Sequence, residues 1–195
     1  MKKFAILLIS FLTISLTGCS QNISNLDVQT LNEKAAEYMK QGDYENAIAR
    51  LKSAIDLNSS FPQSHFNLGI AYYENKDFEE AIEAFNEAIK LKSDFTDAYY
   101  SRAIAYEELA YIIIAGEKED KNKDNDTKVQ QNEEDENTEL SDEDKKEIVE
   151  YLKKSKEDFE KYINLNKTTQ DAEQIKEKIT QIEDTIKKYE NDGEE

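Results

Sequence analysis

One interval of 34 residues constrains this chain more than any other feature: Tyr38, Tyr72 and Tyr106 are spaced by it, as are Ala35, Gly69 and Ala103. Ala47 and Ala81, Ile48 and Ile82, Ala54 and Ala88, and Leu57 and Leu91 recur at the same distance. The stretch Gly42-Asp43-Tyr44-Glu45 is answered by Lys76-Asp77-Phe78-Glu79. A fixed period of this length marks a supersecondary unit that cannot bury its apolar face alone and stacks on copies of itself. Composition makes that unit helical. Five Gly and one Pro in 195 residues supply too few turn formers for an all-β chain. Charged residues at 35% suit long solvated helices.

Residues Pro62–Phe95 carry Leu68-Gly69, Tyr72, Ala81, Phe85 and Ala88 in an order and spacing that closely resemble the tetratricopeptide (TPR) signature. The resemblance implies an all-α fold, a TPR-type α-solenoid of antiparallel helix pairs, with about seven helices in one domain at 28–189. Its repeats fall at about 28–61, 62–95 and 96–166. Small residues at 35, 69 and 103 let the first helix of a pair approach the second, Ala47/Ala81 and Ala54/Ala88 do the same from the other side, and the tyrosines fill gaps between helices. Gly42 sits where the turn wants a left-handed backbone, and Lys76 is a mild departure. Leu31, His65 and Tyr99 occupy the family's Trp position, and Ser59 and Ser93 stand where it has a late Pro.

The third repeat is interrupted. Its first helix runs on through the apolar Leu109–Ala115, with Gly116 as a cap. A polar stretch at 117–140 without periodicity follows and reads as a disordered acidic insert. Ser141-Asp142-Glu143-Asp144 reads as a helix start. Placing Leu165 on Leu91, Phe159 on Phe85 and Ser155 on Ala81 gives an interval of 74, so about 40 extra residues lie at the turn of this repeat. Both helices are expected to extend by a turn or two as an antiparallel hairpin, with Ile112/Ile113 near Ile148/Val149. The three- and four-residue steps of Ala172, Ile175, Ile179, Ile182, Ile186 and Tyr189 predict a capping helix at about 169–189 with one polar face. Residues 190–195 are expected to fray.

The N-terminus reads as an address. Lys2 and Lys3 precede an apolar run, Phe4–Leu16, too short to span a bilayer, which takes roughly 20 residues. Leu16-Thr17-Gly18-Cys19 ends the run and resembles the lipobox of bacterial lipoproteins. That resemblance implies a signal peptide at 1–18, cleavage before Cys19, lipid on its sulfur and a short tether at 19–27. The protein would then be exported and held on a bacterial membrane, either the outer membrane or the outer face of the cell membrane.

Several chemistries are excluded or unsupported. With one Cys there is no disulfide within the chain, and one Cys with one His makes a zinc or thiol–imidazole site improbable. A net charge of −18 repels nucleic acid. His65 lacks a nucleophile and an orienting partner, so it reads as packing. The run Asp120, Asn122, Asp124, Asp126 partly resembles a calcium loop, but Asn125 replaces the turn Gly and Gln131 the bidentate Glu. No catalytic residue, metal site or cofactor is expected.

The remaining candidate is the concave groove. Positions carried over from the family are Gln29, Asn32, Ala36 and Met39; Gln63, Phe66, Asn67, Ile70 and Tyr73; and Asp97, Tyr100, Ile104 and Glu107. The carboxylate-clamp TPR type uses Lys, Arg and Asn here; Ile70 and Tyr100 argue against that ligand class. Asn32, Met39, Phe66, Asn67, Ile70, Tyr73, Tyr100 and Ile104 together suggest an apolar, aromatic groove with an acidic rim, suited to a protein or peptide partner with basic flanks. Partial cover of these residues by the C-terminal helix is the competing expectation. The reading is a non-enzymatic, lipid-anchored scaffold or adaptor of the cell envelope. The alternatives are a self-associating structural lipoprotein and a cation-responsive protein acting through the acidic insert.

Overall fold

The structure is a computed structural model and describes residues 26–116, 140–166 and 170–191. Among them it is all-helical: α1 (26–40), α2 (Tyr44–Leu57), α3 (Pro62–Glu74), α4 (Phe78–Leu91), α5 (Thr96–Ile114), α6 (Asp142–Leu165) and α7 (Ala172–Asn191). Cys19 with the signal peptide, the insert at 117–139 and the tail from 192 lie outside the described residues. Two boundaries shift. Leu26 and Asp27, expected in the tether, are already helical, and α7 runs two residues into the expected tail. No described helix is long and apolar enough to cross a membrane.

The chain separates into two compact units, one ending at Phe95 and the other beginning at Thr96. That division coincides with the expected boundary between the second and third repeats.

In the first unit the helix pairs α1/α2 and α3/α4 end and restart by the same local chemistry. The N–H of Gly42 donates to the Met39 carbonyl and that of Asp43 to the Tyr38 carbonyl, each at 3.0 Å. Lys76 and Asp77 repeat the pattern on Tyr73 and Tyr72, each at 2.9 Å. This is a Schellman stop, which needs a left-handed residue after the helix. Gly42 takes it at φ +73° and Lys76 at φ +67°. Asp43 then caps α2 by accepting from the Asn46 N–H at 3.2 Å. Pro62 opens α3 at a position where its missing N–H costs nothing.

Packing follows the small residues. Ala35, Ala47, Ala54, Ala81 and Ala88 have no exposed surface. Ala35, Ala47 and Leu51 share one core cluster with Leu68, Ala71 and Ala84, and Tyr38 and Tyr72 close its edge. At Gly69 the approach is closest: a Cβ there would lie 2.5 Å from Cε1 of the fully buried Phe85. Periodicity does not always mean burial. Leu57, Leu91 and Leu165 hold equivalent positions at helix ends and are 51%, 39% and 37% exposed.

The second unit is the interrupted repeat with its cap. Ala110 stands where Gly42 and Lys76 stop the earlier helices, and it is buried inside a helix that continues. Gly116, at φ +69°, then ends α5 with its N–H on the Ile113 carbonyl at 3.1 Å. Ser141 caps α6 by accepting from the Asp144 N–H at 3.1 Å. Leu152 is the counterpart of Phe78, where α4 starts, so α6 begins about ten residues early. That is nearly three turns, more than the one or two expected. The hairpin packs as anticipated: Ile113 and Ile148 are buried in one cluster with Leu152, Phe159 and the α7 residues Ile175, Ile182, Ile186 and Tyr189, and Leu140 and Val149 lie against it. Ile112 is half-buried and Ile114 is 37% exposed.

A left-handed non-Gly residue costs about 1–2 kcal/mol. Lys76→Gly, in an exposed turn that already has the Gly geometry, should therefore raise stability by about 1 kcal/mol, measured as a higher urea midpoint with an unchanged slope.

Candidate partner-binding surfaces

In the first unit, α1 and α3 lie side by side through a row of polar side chains. Gln63 Nε2 donates to Asn67 Oδ1 at 3.1 Å, and Asn67 Nδ2 to Asn32 Oδ1 at 2.8 Å. Asn32 Nδ2 donates to Ser64 Oγ at 2.7 Å and to the Val28 carbonyl at 2.9 Å. Asn32 and Ser64 are buried, so each needs these partners. The row reaches solvent at Gln63, which is exposed. The structure thus brings Asn32 and Asn67 together, but Asn32 serves as a buried clamp between helices rather than an open groove residue.

The aromatic groove candidates of this unit are half-buried and engaged. The Phe66 ring centroid lies 5.8 Å from that of Phe85 and 4.9 Å from that of Phe95. Tyr73 meets the edge of Phe78 at 5.3 Å. Met39 packs on the core cluster, and Ile70 is half-buried. His65 Nε2 lies 2.9 Å from the Ser59 carbonyl, which can only accept, so the ring tethers the α2–α3 connection.

In the second unit, Tyr100 is held by Phe159 at 5.6 Å and Tyr162 at 5.3 Å. Ile104, one turn on, lines a cleft of about 500 Å³ between α5 and α7. Glu107, Tyr111 and Ile114 continue its α5 wall; Lys178, Ile182 and Thr185 form the α7 wall, and Leu152 the floor. The C-terminal helix therefore stands across the cleft from Ile104 and Glu107. Lys178 Nζ lies 3.0 Å from Glu107 Oε2, an oxygen with almost no exposed surface. Burial raises the Glu107 carboxyl above its ordinary value, and Lys178 only partly pulls it back.

One buried pair escaped the sequence reading. Arg102 donates from Nε to Asp158 Oδ2 at 2.7 Å and from Nη2 to Oδ1 at 2.6 Å, a two-pronged bridge from α5 to α6. Asp158 is 5% exposed. The register held the signal: Arg102 aligns with Leu68 and Asp158 with Ala84, both buried, so opposite charges fall on two core positions of one repeat. Among the described residues no group of His, Cys, Asp or Glu is placed to hold a metal ion.

Residues 35–76 match the family model described as TPR repeat, and residues 62–95 the one described as Tetratricopeptide repeat. No curated protein matches the chain in sequence. Among solved structures, the Arabidopsis OM64 TPR domain superposes with a TM-score of 0.57 at 16% identity, covering 81% of this chain and 98% of that one. The first TPR of Spaghetti (RPAP3), bound to the HSP90 peptide SRMEEVD, gives 0.55 at 22% identity over 80% and 92%. The second TPR domain of human RPAP3, in complex with the HSP70 peptide SGPTIEEVD, gives 0.54 at 18% over 80% and 98%. The fold of this chain is the all-α fold of TPR domains.

Removing one partner of a buried ion pair strands a charge, at a cost of about 3–5 kcal/mol, whereas replacing both by apolar groups is often neutral. Arg102→Leu alone should lose that much in urea unfolding, and Arg102→Leu with Asp158→Ala, which reproduces the second repeat, should recover most of it. Glu107 gives a pH test. Its folded value lies above the unfolded one, so it favours folding below the unfolded value and loses that contribution as pH rises through the folded value. Glu107→Gln should accordingly be more stable than the parent near pH ~7.5, with the gap closing towards pH ~4, as read by thermal melts across pH.

Proposed function

We propose that the protein is a non-enzymatic adaptor, lipid-anchored at Cys19 in a bacterial envelope, which holds a protein partner on the faces of the first helices of its repeats. The observation that carries this is the row Gln63–Asn67–Asn32–Ser64. Carboxamides fixed by buried hydrogen bonds form a preorganised polar edge, and an exposed one at its end can pair with a peptide backbone. Half-buried Phe66, Ile70 and Tyr73 on the same helix add apolar contact without a flexible surface.

Solved neighbours of this fold are bound to peptides ending in Glu-Glu-Val-Asp. That chemistry does not transfer. The α3 helix has no Lys or Arg, and the chain carries −18. A neutral or basic segment suits this surface better than an acidic one. The anchor reading rests on the apolar run Phe4–Leu16 and on the only Cys of the chain standing where the lipobox needs it. Two or more acyl chains on such a Cys would hold the protein stably at a membrane.

Two measurements test the parts separately. Cys19→Ser should abolish fatty-acid labelling and release the protein from the membrane fraction; labelling that persists would refute the anchor. A photo-crosslinking residue placed at Gln63 should capture a partner in intact cells, while one at Glu83, exposed on α4, should not. Equal capture from both positions would refute the helix-face adaptor.

A further inference from the structure

The four helices of the first unit have two ends of unlike chemistry. The turns at 41–43 and 75–77 and the connection at 58–61 are short, so the starts of α1 and α3 and the ends of α2 and α4 share one end. Two contacts fix this: Asn32 Nδ2 donates to Ser64 Oγ at 2.7 Å, and the ring centroids of Phe66 and Phe95 lie 4.9 Å apart. Leu26, Leu57 and Leu91 stand at that end, 64%, 51% and 39% exposed. Among the described residues of this unit they are the exposed large apolar side chains, and the end with the two turns has none. Half-buried Phe61, in the α2–α3 connection, adds an aromatic ring to the leucine end.

Charge divides the same way. Residues 26–29, 54–65 and 88–95, at the leucine end, hold three acids and two lysines; residues 37–47 and 71–81, at the other end, hold seven acids and two lysines. Anionic lipid repels a chain at −18, and the leucine end is where that repulsion is weakest. Exposed Lys90 and Lys92 flank Leu91, and such side chains lay their stems on apolar surface while the ammonium reaches a headgroup. The anchor joins at the same end: α1 begins seven residues after Cys19. Seven residues span at most about 25 Å, so acyl chains on Cys19 would keep this end within that distance of a bilayer.

We infer that the first unit stands end-on on a membrane surface, with Leu26, Leu57 and Leu91 in the headgroup layer and the acidic turns facing away from it. This rests on the anchor reading at Cys19 and deepens it. It sets the α3 face, from Gln63 in its first turn, beside the lipid.

The test uses the full lipidated protein in vesicles of phosphatidylethanolamine and phosphatidylglycerol that carry a nitroxide-labelled lipid. Lipid occupies the sulfur of Cys19, the only Cys of the chain. Ser60→Cys at the leucine end, or Glu45→Cys at the acidic end, therefore gives a single thiol for a fluorophore, and both positions are exposed. The probe at 60 should be quenched several-fold more than the probe at 45. Leu26→Ser with Leu57→Ser should lower quenching at 60 to the level at 45 while fatty-acid labelling persists. Both leucines are more than half in solvent, so the fold survives their exchange, which a thermal melt verifies; the comparison of 60 with 45 in the parent stands without that variant. Equal quenching at the two positions, or quenching at 60 that outlasts both serines in folded protein, would overturn the end-on contact and leave the anchor standing. Absence of fatty-acid labelling would remove the anchor, and the contact with it. A mass in detergent that doubles with concentration and falls back with the two serines would also overturn the contact, by assigning the leucine end to a second copy.

Discussion

The structure depends on how closely two helices of a pair can approach. At Gly69 the backbone of α3 lies so near the Phe85 ring that even one methyl group has no room. Such contact lets Phe85 be fully buried, with Ala81 and Ala88 on the same helix equally buried. In a chain with 38% apolar residues, burial has to come from dense packing of small and large side chains rather than from a thick core. The repeats use the same device with different volumes. Ala35 accompanies Leu51 in the first, Gly69 accompanies Phe85 in the second, and Ala103 accompanies Phe159 in the third. The fully buried Ser155 stands where the others have alanine, with an Oγ that finds no hydrogen-bond partner.

The third repeat departs from this scheme in two ways that belong together. Losing the left-handed stop at Ala110 lets α5 continue, and an early cap at Ser141 lets α6 start sooner. The longer hairpin needs its own cohesion. Apolar cohesion comes from Ile113 and Ile148. Directional cohesion comes from the Arg102–Asp158 bridge, which fixes the rotation of one helix on the other as leucine and alanine cannot. The same extension leaves Tyr111 and Ile114 uncovered. A feature that stabilises the hairpin thus also supplies Tyr111, the most exposed large apolar side chain of the described helices away from their ends.

Phe66, Tyr73 and Tyr100 are each half-buried and pack against Phe85 and Phe95, Phe78, or Phe159 and Tyr162 respectively. Aromatic rings held in this way keep little rotamer freedom. The cap α7 adds the only cation on the cleft wall, Lys178, and sets it against Glu107. The C-terminal helix therefore both packs into the core of the second unit and forms one wall of its cleft.

Local rules made much of this protein legible from its residues. The 34-residue period placed the helix pairs, the small residues and the tyrosines, because each position answers to a fixed geometry of helix on helix. Ser141 and Gly116 announced the ends of the long hairpin through capping chemistry that acts within a few residues. Other features are decided only by tertiary structure. Whether Asn32 lines a groove or locks α1 to α3 depends on Ser64 and Asn67, which lie about one repeat away in the chain. Whether Arg102 is a surface charge or half of a buried bridge depends on Asp158, on the far side of the insert. Leu57, Leu91 and Leu165 keep the period and yet are exposed, since periodicity records which residues share a helix face and burial depends on what that face meets. The cleft lies between α5 and α7, with Ile104, Glu107 and Tyr111 on one wall and Lys178, Ile182 and Thr185 on the other, a matter of packing between helices that no pattern within either one encodes.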